Sequence, residues 1–167
     1  GDIIAQREVS IEFVDTAYTV FMKMAHEARL LIREILPKLE KGTFTRISQE
    51  GLGKSSYFGG RKPEDGLISW QDDALSIYNL IRAVTRPYPG AFTYLNGKKL
   101  YIWKAYPGEG KLNALPGTII SEKPLMVSTG SGVLILLRVQ LEGEKVLDGE
   151  TFAVLHTLKD KQLGGQS

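Results

Sequence analysis

The sequence contains no cysteine. That excludes a disulfide framework, a thiolate metal site and a thiol nucleophile. Its only histidines are His26 and His156, too few for a histidine-rich metal centre, so no metal is expected. No run approaches the roughly 20 apolar residues that cross a bilayer, and the N-terminus lacks the basic-then-apolar order of a secretory leader. The expectation is a cytoplasmic protein without a membrane span. Charge is balanced: 21 Lys and Arg stand against 19 Asp and Glu, a net +2, which by itself does not mark a nucleic-acid binder. There is no internal repeat, no low-complexity tract, no G-x-S-x-G and no complete phosphate-binding glycine fingerprint.

What is present is enough for a core. The 167 residues are 43% hydrophobic, which allows one domain or two small ones. The chain starts at Gly1, without methionine, directly on a strand-like run (Ile3, Ile4, Ala5, then Val9, Ile11, Phe13), and reads as cut from a longer protein. Asp15 or Thr16 is the expected N-cap of a long helix. Val20, Phe21, Met24, Ala28, Leu31, Ile32, Ile35 and Leu39 recur in it at helical spacing. Pro37 tightens its last turn and Gly42 ends it. His26 falls opposite that stripe and reads as a solvated surface histidine. One strand and one helix cannot bury such a stripe alone. Residues 1–50 therefore look like the last piece of a larger α/β sheet. The remainder of that sheet, or another chain, is expected to cover residues 1–42.

A polar connector with a short strand near Phe44–Ile47 leads into "YFGGRKPEDGLISWQ", Tyr57 to Gln71. This stretch is too polar for a strand and too irregular for a helix, and residues 51–70 read as an interdomain loop. A second helix is predicted over about Asp72–Arg86. Two aspartates stand at its positive end, Ile77, Leu80, Ile81 and Val84 form its buried stripe, and Pro87 and Pro89 stop it. Everything beyond Gly90 reads as short strands. Asn96-Gly97 predicts a hairpin. Counting outward from it puts Phe92, Tyr94, Tyr101 and Trp103 on one face and Ala91, Thr93, Leu100 and Ile102 on the other. "GTIISEK", "LMVSTG" and "GVLILLRVQLEG" supply further strands. Residues 71–167 are thus expected to form a small β-rich barrel of the oligonucleotide/oligosaccharide-binding (OB) type.

Two features bear on function. Arg61 and Lys62 lie beside glycines, where backbone and guanidinium can both approach a diphosphate or carboxylate; the alternative is a solvated linker. The aromatic face could stack bases or pack against the second helix. Lys38, Lys41, Lys98, Lys99 and Lys104 are mostly interleaved with acids and read as solvated. Nothing marks Glu64 and Asp65 as a positioned acid/base pair.

The order of pieces carries a resemblance. "GDIIAQ", the helix ending "LPKLEKG", then "YFGGRKPEDGLISW", "LIRAVTRPYPGAFTYLNGKKLYIWKA" and "LPGTII" resemble the formyl-tetrahydrofolate-dependent formyltransferases over nearly the whole chain. The resemblance implies the end of a doubly wound α/β catalytic domain followed by a small OB-like C-terminal domain. Phe58, Gly59, Arg61, Pro63 and Asp65 match the form of this loop in the sugar-nucleotide branch, such as the UDP-aminoarabinose enzyme, more closely than that in the methionyl-tRNA formyltransferases. It implies 10-formyltetrahydrofolate as co-substrate, no metal, and an amino-sugar nucleotide (a UDP-sugar) as acceptor, with Arg61 and Lys62 binding it. Initiator tRNA is the alternative acceptor, and a non-enzymatic module binding RNA or protein the alternative class. The family's catalytic asparagine, histidine and aspartate fall upstream of Gly1, so no catalytic residue is carried over. In the family an amine attacks the formyl carbon, the histidine and asparagine hold the oxyanion, and the aspartate assists proton movement.

Overall fold

The computed structural model describes residues 1–51, 53, 56–110, 113–158 and 161–164; within the expected connector, residues 52 and 54–55 lie outside this set. The chain divides into two compact units, Gly1–Gly60 and Arg61–Ser167.

The first unit is built on α1, Ala17–Glu40. Thr16 caps it through a reciprocal box with Thr19, and Gly42 takes the left-handed φ of +67° just beyond its end. The expected strand does not form: Ile3 makes one antiparallel bridge to Ile47, while Ile11, Phe13 and Val14 stay exposed. A strand needs a neighbouring ladder, and this unit offers a single pairing residue. The short strand expected near Phe44–Ile47 is likewise reduced to that bridge. None of α1's residues is buried, and Phe21, Met24 and Ile32 are each more than half exposed. Ion pairs hold the segment before α1 against it: Arg7 reaches Glu27 and Glu34, and Lys23 reaches Asp15. His26 is exposed.

The second unit carries the core. After a single 3-10 turn at Pro63–Gly66 comes α2, Ala74–Val84, capped by Asp73, whose carboxylate accepts from Ser76 N and Ser76 Oγ. The strands are β1 (Ala91–Leu95), β2 (Lys98–Gly108), β3 (Ile119–Glu122), β4 (Leu125–Ser128), β5 (Val133–Leu141) and β6 (Leu147–Asp148). The β1–β2 hairpin has the register counted from its turn, Phe92 opposite Tyr101 and Thr93 opposite Leu100. Asn96 and Gly97 both take positive φ, 50° and 75°, the requirement of a two-residue turn that follows the strand twist.

The ladders are antiparallel and run β1-β2-β5-β4-β3, with β6 on β5. The sheet does not close, so the barrel expectation is corrected. The outer edge of β1 is taken by loops: Ile68 N donates to Phe92 O and Gly164 N to Tyr94 O. Lys161 O accepts from Ile119 N, and Leu163 N donates to Gly117 O. The C-terminal segment thus straps the two edges where a ladder would have joined them. A second correction is α3, Gly149–His156, in a region expected to be all strand. Asp148 caps it by accepting from Thr151, and Phe152 and Ala153 are buried in the same cluster as α2's Ile77 and Ile81. The apolar run "FAVLH" sits over the β-rich core as a helix because only two adjacent positions point inward.

Two predictions follow from this packing. A Cβ on Gly149 would lie 2.0 Å from Leu136 O and 3.2 Å from Leu125 Cβ, so Gly149→Ala must push α3 off β5. It is expected to lower stability by roughly 1–3 kcal/mol. Gly59→Ala, where nothing lies within 4 Å, should stay within about 0.5 kcal/mol. Urea unfolding followed by tryptophan fluorescence reads both, and equal midpoints for Gly149→Ala and the parent would contradict the packing. Asp15 is held down from 3.8 to about 2 by its hydrogen bonds, first to Lys23 and then to Glu12 N and Thr19. A depressed carboxylate stabilises the fold above its unfolded value, and that contribution is lost as pH falls from about 3.8 toward 2. A carboxyl-carbon NMR titration should find the low midpoint, and Lys23→Ala should move it upward; an unmoved midpoint would exclude the ion pair as the cause.

Candidate functional site

Three clefts differ in chemistry more than in size. The largest of them, about 500 Å³, lies between the start of α2 and the Gly108–Gly110 turn. Its charged groups are acids, Asp73 and Glu109, and Asp73 is already engaged as the helix cap. A second, within the first unit, is lined by Glu8, Lys23, His26 and Glu27, of which Lys23 and Glu27 are ion-paired. The third, of about 250 Å³, belongs wholly to the second unit. Ala83 and Val84, at the end of α2, give it apolar lining, Pro63, Tyr88 and Pro89 line it as well, and Arg61 and Lys62 are its charged residues. Both cations are exposed, and neither side chain has an ion-pair or hydrogen-bond partner among the described residues.

The cleft is set by backbone. Lys62 N donates to Asp65 Oδ2 at 2.7 Å, which closes the 3-10 turn under the two cations; Asp65 is a turn-former here. Gly66 meets Gly90 so closely that a Cβ on Gly66 would lie 2.5 Å from Gly90 O. Gly90 has φ +94°, and its own Cβ would strike the Trp103 ring at 2.7 Å. The loop that carries Arg61 and the Pro87–Pro89 loop after α2 are therefore locked together, main chain to main chain, with no room for a side chain between them. On the far side Trp70, 5% exposed, donates from Nε1 to Thr93 Oγ1 at 3.0 Å, and its carbonyl accepts from Gly130 N.

The structure thus places Arg61 and Lys62 on one cleft. Phe58 and Gly59, the other part of the loop pattern, belong to the first unit, and Phe58 is exposed. Tyr88, Gly66 and Gly90 were not singled out as site residues from the sequence. The available signal was the "RPYPG" stretch, which ended a helix and looked more like the sugar-nucleotide branch without marking Tyr88 as a site residue.

The aromatic hairpin face is not the one that packs on α2. The core cluster joins Ile77, Ile81 and Val84 to Ala91, Leu100 and Ile102. The aromatics form their own row: Tyr101 stacks on Trp103 with centroids 5.6 Å apart, and Phe92 lies 6.2 Å from Tyr101. Arg86 sits 4.6 Å over Trp103 and Lys99 4.8 Å over Phe92. Trp103 Nε1 donates to Gln140 Oε1 at 2.9 Å. His156 rests on Phe152 and lies 3.3 Å from Glu144. Among the described residues no group of three or more His, Asp or Glu converges on a metal position, and no helix is long and apolar enough to cross a membrane.

The family match begins where the second unit does, while likeness to solved structures extends over both units. The family described as "Formyl transferase, C-terminal domain" matches residues 61–156. Among solved structures, a variant of HypX from Aquifex aeolicus superposes with a TM-score of 0.66 at 20% identity, over 97% of this chain and 29% of that one. HypX from Aquifex aeolicus in complex with tetrahydrofolic acid gives 0.65 at 21% identity, over 96% and 29%. Methionyl-tRNA formyltransferase from Clostridium thermocellum gives 0.50 at 29% identity, over 66% of this chain and 46% of that one. The chain thus spans under a third of HypX and under half of the tRNA enzyme.

Proposed function

This chain belongs to the formyl transferase C-terminal domain family, and on that premise we propose that it is part of an enzyme that moves a formyl group from 10-formyltetrahydrofolate to the amine of an amino-sugar nucleotide. The observation that carries the reading is the cleft: two cations, unpartnered among the described residues, stand over an apolar lining, on the loop whose Arg61, Pro63 and Asp65 resemble the sugar-nucleotide branch. A diphosphate matches that rim. The guanidinium of Arg61 offers two parallel donors to phosphate oxygens, and Lys62 adds a point charge.

The chain's own part in the reaction is acceptor binding. Formyl-tetrahydrofolate would supply the one-carbon group, and the amine attack and oxyanion stabilisation fall to the asparagine, histidine and aspartate of the family, to which no residue here corresponds. Among the described residues every buried side-chain polar atom already has a partner, so none waits for a pterin ring and no folate contact is assigned. In this reading residues 1–50 end the catalytic domain, 51–70 link it to 71–167, and the protein works in the cytoplasm. Arg61→Ala in the full-length enzyme is expected to weaken nucleotide-sugar binding by about tenfold to a hundredfold. Arg61→Lys should restore part of it, and folate affinity should be unchanged. Calorimetric titration decides, and equal affinities for parent and Arg61→Ala would leave the loop a connector.

The likeness to the Clostridium thermocellum enzyme and the cation-flanked aromatic row support a second reading, with initiator tRNA as acceptor. Formyl transfer to an aminoacyl-tRNA, with binding that weakens steeply in salt, would favour it; tRNA binding by a full-length protein without any transfer would instead favour a binding module.

The exposed row on α1 fits the same proposal, as the surface that the remainder of the catalytic domain, or a second chain, covers. Contiguous apolar patches drive association when left open. Sedimentation velocity of the 167-residue chain should show self-association that the double change Phe21→Ser and Ile32→Ser removes. A monomer at every concentration would argue against the covering surface.

A further inference from the structure

The geometry points to Tyr88 as the residue that seats the base of a nucleoside diphosphate, with its ring in the cleft and the diphosphate on Arg61 and Lys62. This rests on the nucleotide reading above and extends it to a specificity-determining residue. Tyr88 lines the cleft together with both cations. It stands between Pro87 and Pro89, whose rings fix their own φ and stiffen the loop. Two main-chain bonds tie that loop to α2, Tyr88 N to Thr85 O at 3.1 Å and Gly90 N to Val84 O at 2.8 Å. The Gly66–Gly90 contact fixes the facing loop at the same place. Tyr88 is therefore held by its backbone, while its side chain is 40% exposed and takes no part in the aromatic row. Its hydroxyl has no hydrogen-bond partner among the described residues.

The ligand follows from the lining. Ala83, Val84 and Pro89 offer an apolar floor that a hydroxyl-rimmed sugar would cover less fully than a flat ring. A planar base suits it, since one face can stack on the phenol and the other can lie on aliphatic carbon. The two cations set the anion, and a base joined to a diphosphate supplies both parts in one molecule. Among the described residues, no cation lines the acid-lined cleft at the start of α2.

The test uses the 167-residue chain with UDP, ADP, uridine and inorganic pyrophosphate as probes, by titration calorimetry. UDP is expected to bind more tightly than uridine or pyrophosphate. Tyr88→Ala should weaken UDP by about tenfold and leave pyrophosphate unchanged, while Tyr88→Phe keeps most of the affinity. Arg61→Ala should weaken both UDP and pyrophosphate. Circular dichroism melts confirm that each variant is folded. ADP tells a uracil-sized seat from a general one: equal affinity keeps the stacking role and removes base selection. If UDP binds and Tyr88→Ala matches the parent, the base seat is wrong while the role of Arg61 stands. If neither UDP nor pyrophosphate binds the parent chain, the cleft is not a nucleotide site, and the Arg61 assignment falls with it.

Discussion

One buried side chain ties distant stretches of the second unit together. Trp70 closes the loop that begins at Arg61, and its indole lies against two glycines, Gly117 and Gly164, where an added Cβ would come within 3.2 Å and 3.1 Å of the ring. Its N–H is satisfied by Thr93 on β1, itself fully buried. A large apolar ring with one satisfied donor is an efficient anchor, because it removes much surface from water without stranding a polar atom. It joins three stretches far apart in sequence: the 61–70 loop, the β1 hairpin and the C-terminal strap. The cleft takes its shape from the Gly66–Gly90 contact, so the cations of an otherwise polar loop stand at a defined place.

The two units are built on different terms. The second has a continuous cluster running from Trp70 through α2, five of its strands and α3, and both α2 and α3 begin at an aspartate cap. The first has a well-capped helix, a set of ion pairs near its surface and no buried apolar residue among those described. Exposed ion pairs contribute little to stability, and a helix of this kind draws most of its stability from what its apolar face touches. Taken by itself, the first unit thus gains little from apolar burial.

That contrast frames function. Under the proposed reading this chain's part is acceptor binding, which asks for what the second unit has: a wall fixed by backbone, two cations unpaired among the described residues, and one aromatic lining the same cleft. The aromatic row of the hairpin is a different kind of surface. Its rings stack on each other, with Arg86 and Lys99 lying over two of them, so much of its π surface is already satisfied within the protein.

Local signals were enough for several elements. Thr16 and Asp73 before periodic apolar runs, Asn96-Gly97 between strands, and the proline pair after α2 act over a few residues, and the chain folds there as its nearest neighbours dictate. The two cations were legible for the same reason, since glycines and charges in sequence already describe an exposed loop. Other features depended on distant partners. The 1–13 segment has strand composition but finds one bridge, because a ladder is made by a neighbour and not by propensity. The Asp148 cap was too short a cue to separate an eight-residue helix from the strands around it, and only the burial of Phe152 makes it one. The sheet stays open because Ile68 and the strap at Lys161–Gly164 occupy the edges that closure would use. Tyr88 became a candidate for the same physical reason: two loops more than twenty residues apart meet at Gly66 and Gly90, and only that contact turns a helix stop into a wall.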